Sequence, residues 1–69
     1  MDEFGEIYRT LFPQVYRYLL ALCRDPELAE ELTQETFYRA VKNIGTYKGD
    51  SSVSTWLCGI AKHLWYAHV

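Results

Sequence analysis

Two cysteines, two prolines and four glycines are all that this 69-residue chain has of the residues that usually build disulfide frameworks, kinks and loops. Cys23 and Cys58 fall in separate predicted helices with no C-x-x-C spacing, which argues against a zinc module or redox pair and leaves buried free thiols. The histidines, His63 and His68, are five apart and lie at different angles on a helix, unlike the i, i+4 pair that shares one face for a metal. No metal site is expected. There is no G-x-x-x-x-G-K-[ST] run, and no Ser/His/Asp, Cys/His or paired-carboxylate constellation emerges. Neither an enzyme nor a cofactor is therefore expected. No apolar run approaches a membrane span, and Met1-Asp2-Glu3 is acidic where a signal peptide would be basic, so the expected location is the cytoplasm.

What is present points to a compact helical domain. With 49% hydrophobic and 16% aromatic residues, the chain is too apolar for a disordered tail, and its length allows one domain, spanning 1–69. The fold class expected is all-α, a small bundle of three main helices at about 2–24, 26–44 and 52–68, with a Gly-rich loop before the last. In the first, Phe4, Tyr8, Leu11, Val15, Leu19 and Leu22 make one stripe, and Pro13 predicts a kink or break near Thr10 to Phe12. Asp25-Pro26 is a helix-start signal for the second. Its apolar side is Leu28, Ala29, Leu32, Thr36, Phe37, Ala40, Val41 and Ile44, with Gly45 as a stop. Asp50, Ser51 or Ser52 can cap the third, whose inward stripe is Val53, Trp56, Leu57, Ile60, Ala61 and Leu64. Trp65 stands off that stripe and is expected to be exposed.

Charge divides the chain. Residues 1–35 carry eight acidic and three basic side chains, a net of −5, whereas residues 36–69 carry four basic and one acidic, a net of +3. The two halves want different partners, and four cations release too few counterions for autonomous tight DNA binding. On the second helix Glu31, Gln34, Glu35 and Tyr38 share one exposed sector, with Lys42 beyond them. Such a face is either simply solvated or a docking surface, in which two carboxylates meet basic groups, Gln donates and accepts, and Tyr adds buried area. The stretch Gly45 to Ser52 is the one extended breaker cluster. It is either an ordinary interhelical loop or a site for an unstacked base, with Tyr47 as a stacking ring and Lys48 as a phosphate partner. Trp56 belongs either to the core or to the border of that site.

AEELTQETFYRAVKNI followed by TYKGDSSVSTWLCGIAKH resembles the second conserved region of bacterial sigma factors of the extracytoplasmic-function group. The leading FGEIYRTLFPQVYRYLLALCRDPELAEEL is similar to the helix pair with which that region begins. The resemblance implies that Glu31, Gln34 and Glu35, with Tyr38 beside them, contact the clamp helices of the RNA polymerase largest subunit. It also implies that Tyr47, Lys48, Gly49, Asp50, Ser51, Ser52 and Ser54, then Thr55, Trp56, Lys62 and His63, capture a flipped nontemplate-strand base of the minus-ten promoter element and hold the duplex open. The family commonly has Asn where His63 stands. Its second DNA-binding domain, a helix-turn-helix for the minus-thirty-five element, is not expected within a chain this short, and an anti-sigma factor is a further partner the family often has. The competing reading is a helical protein-interaction module that sequesters a partner without touching DNA.

Overall fold

The computed structural model describes residues 3–69, and side chains from residue 5 onward. The expected helix start at residue 2 and the stripe position Phe4 lie outside the described residues and side chains. Three helices form a bundle: α1 (Glu3–Cys23), α2 (Pro26–Lys42) and α3 (Val53–His68), with a 3-10 turn at Ile44–Thr46. No strand occurs among the described residues. The longest helix, at about 1.5 Å per residue, sets the 33 Å long axis of the molecule.

The core is narrow because helices this short can each bury only one stripe. Val15 and Leu19 from α1, Ala29, Leu32, Phe37 and Ala40 from α2, and Leu57 and Ala61 from α3 are buried together. Phe37 also joins an aromatic group with Tyr8 and Phe12, at centroid distances of 5.0 and 5.9 Å. Two threonines, Thr33 and Thr36, are fully buried within this apolar region. Each donates its hydroxyl to the carbonyl one turn back, Ala29 at 2.6 Å and Leu32 at 2.7 Å, so neither leaves a buried polar atom unpaired.

Pro13 does not break α1, which runs through it as one helix. Proline costs the hydrogen bond to the Arg9 carbonyl, but Pro13 and Arg9 are both exposed, so water can take that bond. Packing on both sides of the proline keeps the helix continuous: Phe12 against Phe37 before it, Val15 and Leu19 in the core after it. The helix ends at Arg24, which takes the left-handed φ of 57° usually left to glycine and donates its N–H to Leu20 at 2.8 Å. Asp25 then caps α2, its side chain accepting from the N–H groups of Glu27 and Leu28, with Pro26 at the first helical position.

The far end of α2 differs from expectation. It stops at Lys42, not at Gly45, because Asn43 supplies its own cap: its backbone N–H and its side-chain amide both donate to the Arg39 carbonyl. Gly45 instead sits within the 3-10 turn. Val41 and Ile44, expected on the apolar side, are 49% and 57% exposed. Ser52 caps α3 by accepting from the Thr55 N–H at 3.1 Å. Trp65, expected to be exposed, packs at the edge of the core and stacks on His68. It stands one turn beyond the fully buried Ala61, close enough to the inward side for an indole to reach it. Both cysteines are free and half-buried, and burial raises the Cys58 thiol pKa, which disfavours the reactive thiolate.

Candidate functional site

Two surfaces meet at α2. Its burial pattern, Ala29, Leu32, Thr33, Thr36, Phe37 and Ala40, repeats at i, i+3, i+4, i+7, i+8 and i+11. At about 100° per residue, that stripe puts Glu31, Gln34 and Tyr38 on the opposite side, facing solvent. Glu31 and Gln34 are exposed and have no hydrogen-bond or ion-pair partner among the described residues. Tyr38 is 59% exposed, with the Lys42 ammonium 5.3 Å from its ring centre. Glu35 departs from this pattern: it is half-buried and its carboxylate takes the Arg39 guanidinium at 3.1 Å. One free carboxylate of the expected pair is therefore offered, and the other is offered with a cation attached.

Arg39 and Asn43 lie roughly 80–120° round the helix from Glu31, and there they face α3 across a cleft. The space measures about 350 Å³, at the lower end of the ~300–1,000 Å³ typical of small-ligand sites. Half-buried Trp56, Ile60 and Leu64 give it an apolar lining, while exposed Arg39, Asn43, Thr46 and His63 give it polar groups, with Ala67 completing it. The turn that carries Thr46 is held by its own bonds, since Thr46 donates both its N–H and its hydroxyl to the Asn43 carbonyl.

The loop leads directly into this cleft. Tyr47 packs its ring against Trp56, with centroids 5.0 Å apart, and its hydroxyl donates to the Ser51 carbonyl. Lys48, Gly49, Asp50, Ser51 and Ser52 are exposed, and Gly49 takes a φ of 78°, a left-handed angle that suits glycine. Thr55 is exposed beside the Ser52 cap, whose hydroxyl donates to it at 3.0 Å. Ser54 turns away from the loop surface, half-buried, to donate to Gln14 of α1 at 3.3 Å. Lys62 is exposed but does not line the cleft, and its ammonium sits 5.6 Å from the Tyr66 ring.

Of the residues expected from sequence, Trp56 and His63 line the cleft and Tyr47 packs on Trp56, whereas Lys48, Gly49, Asp50, Ser51, Ser52 and Thr55 are exposed outside its lining and Ser54 and Lys62 lie elsewhere. Arg39, Asn43, Thr46, Ile60, Leu64 and Ala67 were not expected there. Their spacing was readable, with 39 and 43 one turn apart and 56, 60, 63, 64 and 67 on one side of a helix. Which two helix sides face each other is a tertiary fact that spacing does not contain. Among the described residues no group of three or more His, Cys, Asp or Glu side chains is placed to hold a metal, and no helix is long and apolar enough to cross a membrane.

Comparison with known proteins gives a consistent set of likenesses. The profile described as Sigma-70 region 2 matches residues 7–69. The chain is similar to RNA polymerase sigma factor YlaC of Bacillus subtilis, 34% identical over 68 residues, which cover 94% of this chain and 39% of that protein. It is similar to ECF RNA polymerase sigma factor SigM of the same organism, 42% identical over 64 residues, covering 93% of this chain and 39% of that one. ECF RNA polymerase sigma factor BldN of Streptomyces coelicolor is 42% identical over 65 residues, covering 91% of this chain and 24% of that one. The chain spans about two-fifths or less of the length of these relatives. No solved structure matches it significantly.

Proposed function

The chain belongs to the sigma-70 region 2 family, in its extracytoplasmic-function branch, and from that membership we propose that it recognises the minus-ten promoter element and separates its strands. The role is non-enzymatic. Residues 1–69 act as a single region two domain, and the partners are the RNA polymerase core and the nontemplate strand. The Glu31, Gln34 and Tyr38 face of α2 docks on the clamp helices of the largest subunit. Basic groups of the partner meet Glu31 there, and Gln34 supplies both a donor and an acceptor. The loop and cleft take a base flipped from the nontemplate strand, at an unstacking cost of a few kcal/mol offset by stacking on Trp56 and hydrogen bonds at the rim.

The observation that carries this reading is that one helix presents two distinct surfaces. The side of α2 opposite the core is polar and unpaired at Glu31 and Gln34. Its flank, at Arg39 and Asn43, closes a cleft with an indole in its wall and a Gly-containing loop at its mouth. Polymerase docking through the first leaves the second free for a strand, and the +3 charge of the second half helps once the strand is held nearby.

The docking assignment is tested by the double substitution Glu31→Arg and Gln34→Ala. Both side chains are exposed and unpartnered, so the fold should be unchanged. Binding to polymerase core, read by pull-down and by titration, should weaken at least about tenfold through like-charge repulsion and a lost hydrogen bond. Full retention would refute the assignment. A chain that binds polymerase yet takes no strand in the complex would be the partner-sequestering module instead.

A further inference from the structure

We propose that Tyr47 is a positioning residue of the strand-capture site, holding the loop shut and setting the Trp56 indole, and is not itself the platform on which a base stacks. The inference rests on the base-capture reading and adds to it which aromatic ring does what. Both ends of Tyr47 are already engaged within the protein. Its hydroxyl donates to the Ser51 carbonyl, and the bond closes over Lys48, Gly49 and Asp50. Its ring lies 5.0 Å from that of Trp56, tilted by 38°. Trp56, not Tyr47, lines the cleft.

The physical consequence is preorganisation. A loop joining two helices through exposed residues has little packing to order it, and any ordering left until binding is subtracted from affinity. The chain meets this with fixed points at each end. The Asn43 carbonyl takes both donors of Thr46, the Tyr47 hydroxyl pins Ser51, and Ser52 caps α3. Between them Gly49 supplies the left-handed turn that lets the chain double back. Within this set Tyr47 is the residue whose side chain ties the loop, at Ser51, to the Trp56 indole in the cleft wall.

The test separates positioning from contact with Tyr47→Phe, which keeps the ring against Trp56 and removes only the hydroxyl. In the free chain, backbone order parameters at residues 48–51 should fall from the rigid range near about 0.85 to below about 0.6. Unchanged order there overturns the proposal. In the complex with polymerase core, a minus-ten nontemplate oligonucleotide should bind the variant about tenfold more slowly with an unaltered dissociation rate, because only the competent fraction of loops has dropped. A faster dissociation with unchanged association would mean that the hydroxyl touches the strand, and would overturn it too. Bromodeoxyuridine placed through the strand should photo-crosslink to Trp56, and an adduct at Tyr47 would contradict the assignment. Failure of the wild-type complex to bind the strand at all would sink the base-capture reading and this proposal with it, whereas wild-type behaviour of the variant would sink the proposal alone.

Discussion

Arg24 is the residue at which the chain departs most from what its type prefers. A left-handed backbone costs a non-glycine residue about 1–2 kcal/mol, and Arg24 holds φ at 57° with its side chain exposed and without an ion-pair partner among the described residues. The angle is required because α1 must end and Asp25 must cap α2 within the next residue. Arg24→Gly should therefore raise stability by about 1 kcal/mol in urea unfolding, the strain relieved less glycine's added freedom in the unfolded chain. A midpoint unchanged or lowered would show that the side chain does more than the structure displays. Asp25 itself was legible, because an Asp before Pro has one strong reading at a helix start. Arg24 was not, because only the tightness of the connection between two packed helices imposes its angle. The same limit applied to Glu35: its exposed sector was legible, but its pairing with Arg39 depends on rotamers that spacing permits without requiring.

At the scale of elements, periodicity succeeded where one side of a helix is buried and failed at the ends. Of the stripe of α2 from Ala29 to Ala40, all but the fully buried Thr33 follow from the pattern alone. The expected continuation did not, since Val41 in the last turn of α2 and Ile44 in the 3-10 turn read as apolar but are exposed. At Pro13, where a kink or break was expected, the break does not occur, because packing on both sides of the proline outweighs one lost hydrogen bond. The cleft was half legible: Trp56 and His63 were named from sequence, whereas Arg39, Asn43 and Thr46 became members only when α2 came to rest beside α3. In α3, Gly59 is exposed in mid-helix, and a Cβ built there meets nothing within 4 Å. Gly59→Ala should therefore stabilise the fold by about 1 kcal/mol, helix propensity alone deciding the sign. Thermal unfolding that showed a loss would contradict the open space around Gly59.

Over the whole molecule, the small core sets the terms. Among the described residues, eight buried apolar side chains spread over three helices leave a domain of this length marginal, so it can spare little for a deep binding site. The surfaces proposed to bind accordingly lie on what the bundle has to build anyway, the outer side of one helix and the groove beside it. The charge split that composition revealed fits the proposed division, with Glu31 on the proposed docking side and Lys48 on the loop.

The most direct test of that division is the affinity of the chain's complex with polymerase core for a minus-ten nontemplate oligonucleotide, measured across salt for the wild type and for Lys48→Ala with His63→Ala. Both side chains are exposed, so the fold should hold. The result expected is a Kd raised by at least about tenfold with polymerase affinity unchanged, together with a salt slope shallower by about 0.7 for the one phosphate that Lys48 gives up. An oligonucleotide Kd equal to that of the wild type would contradict the assignment of the loop and cleft to the strand.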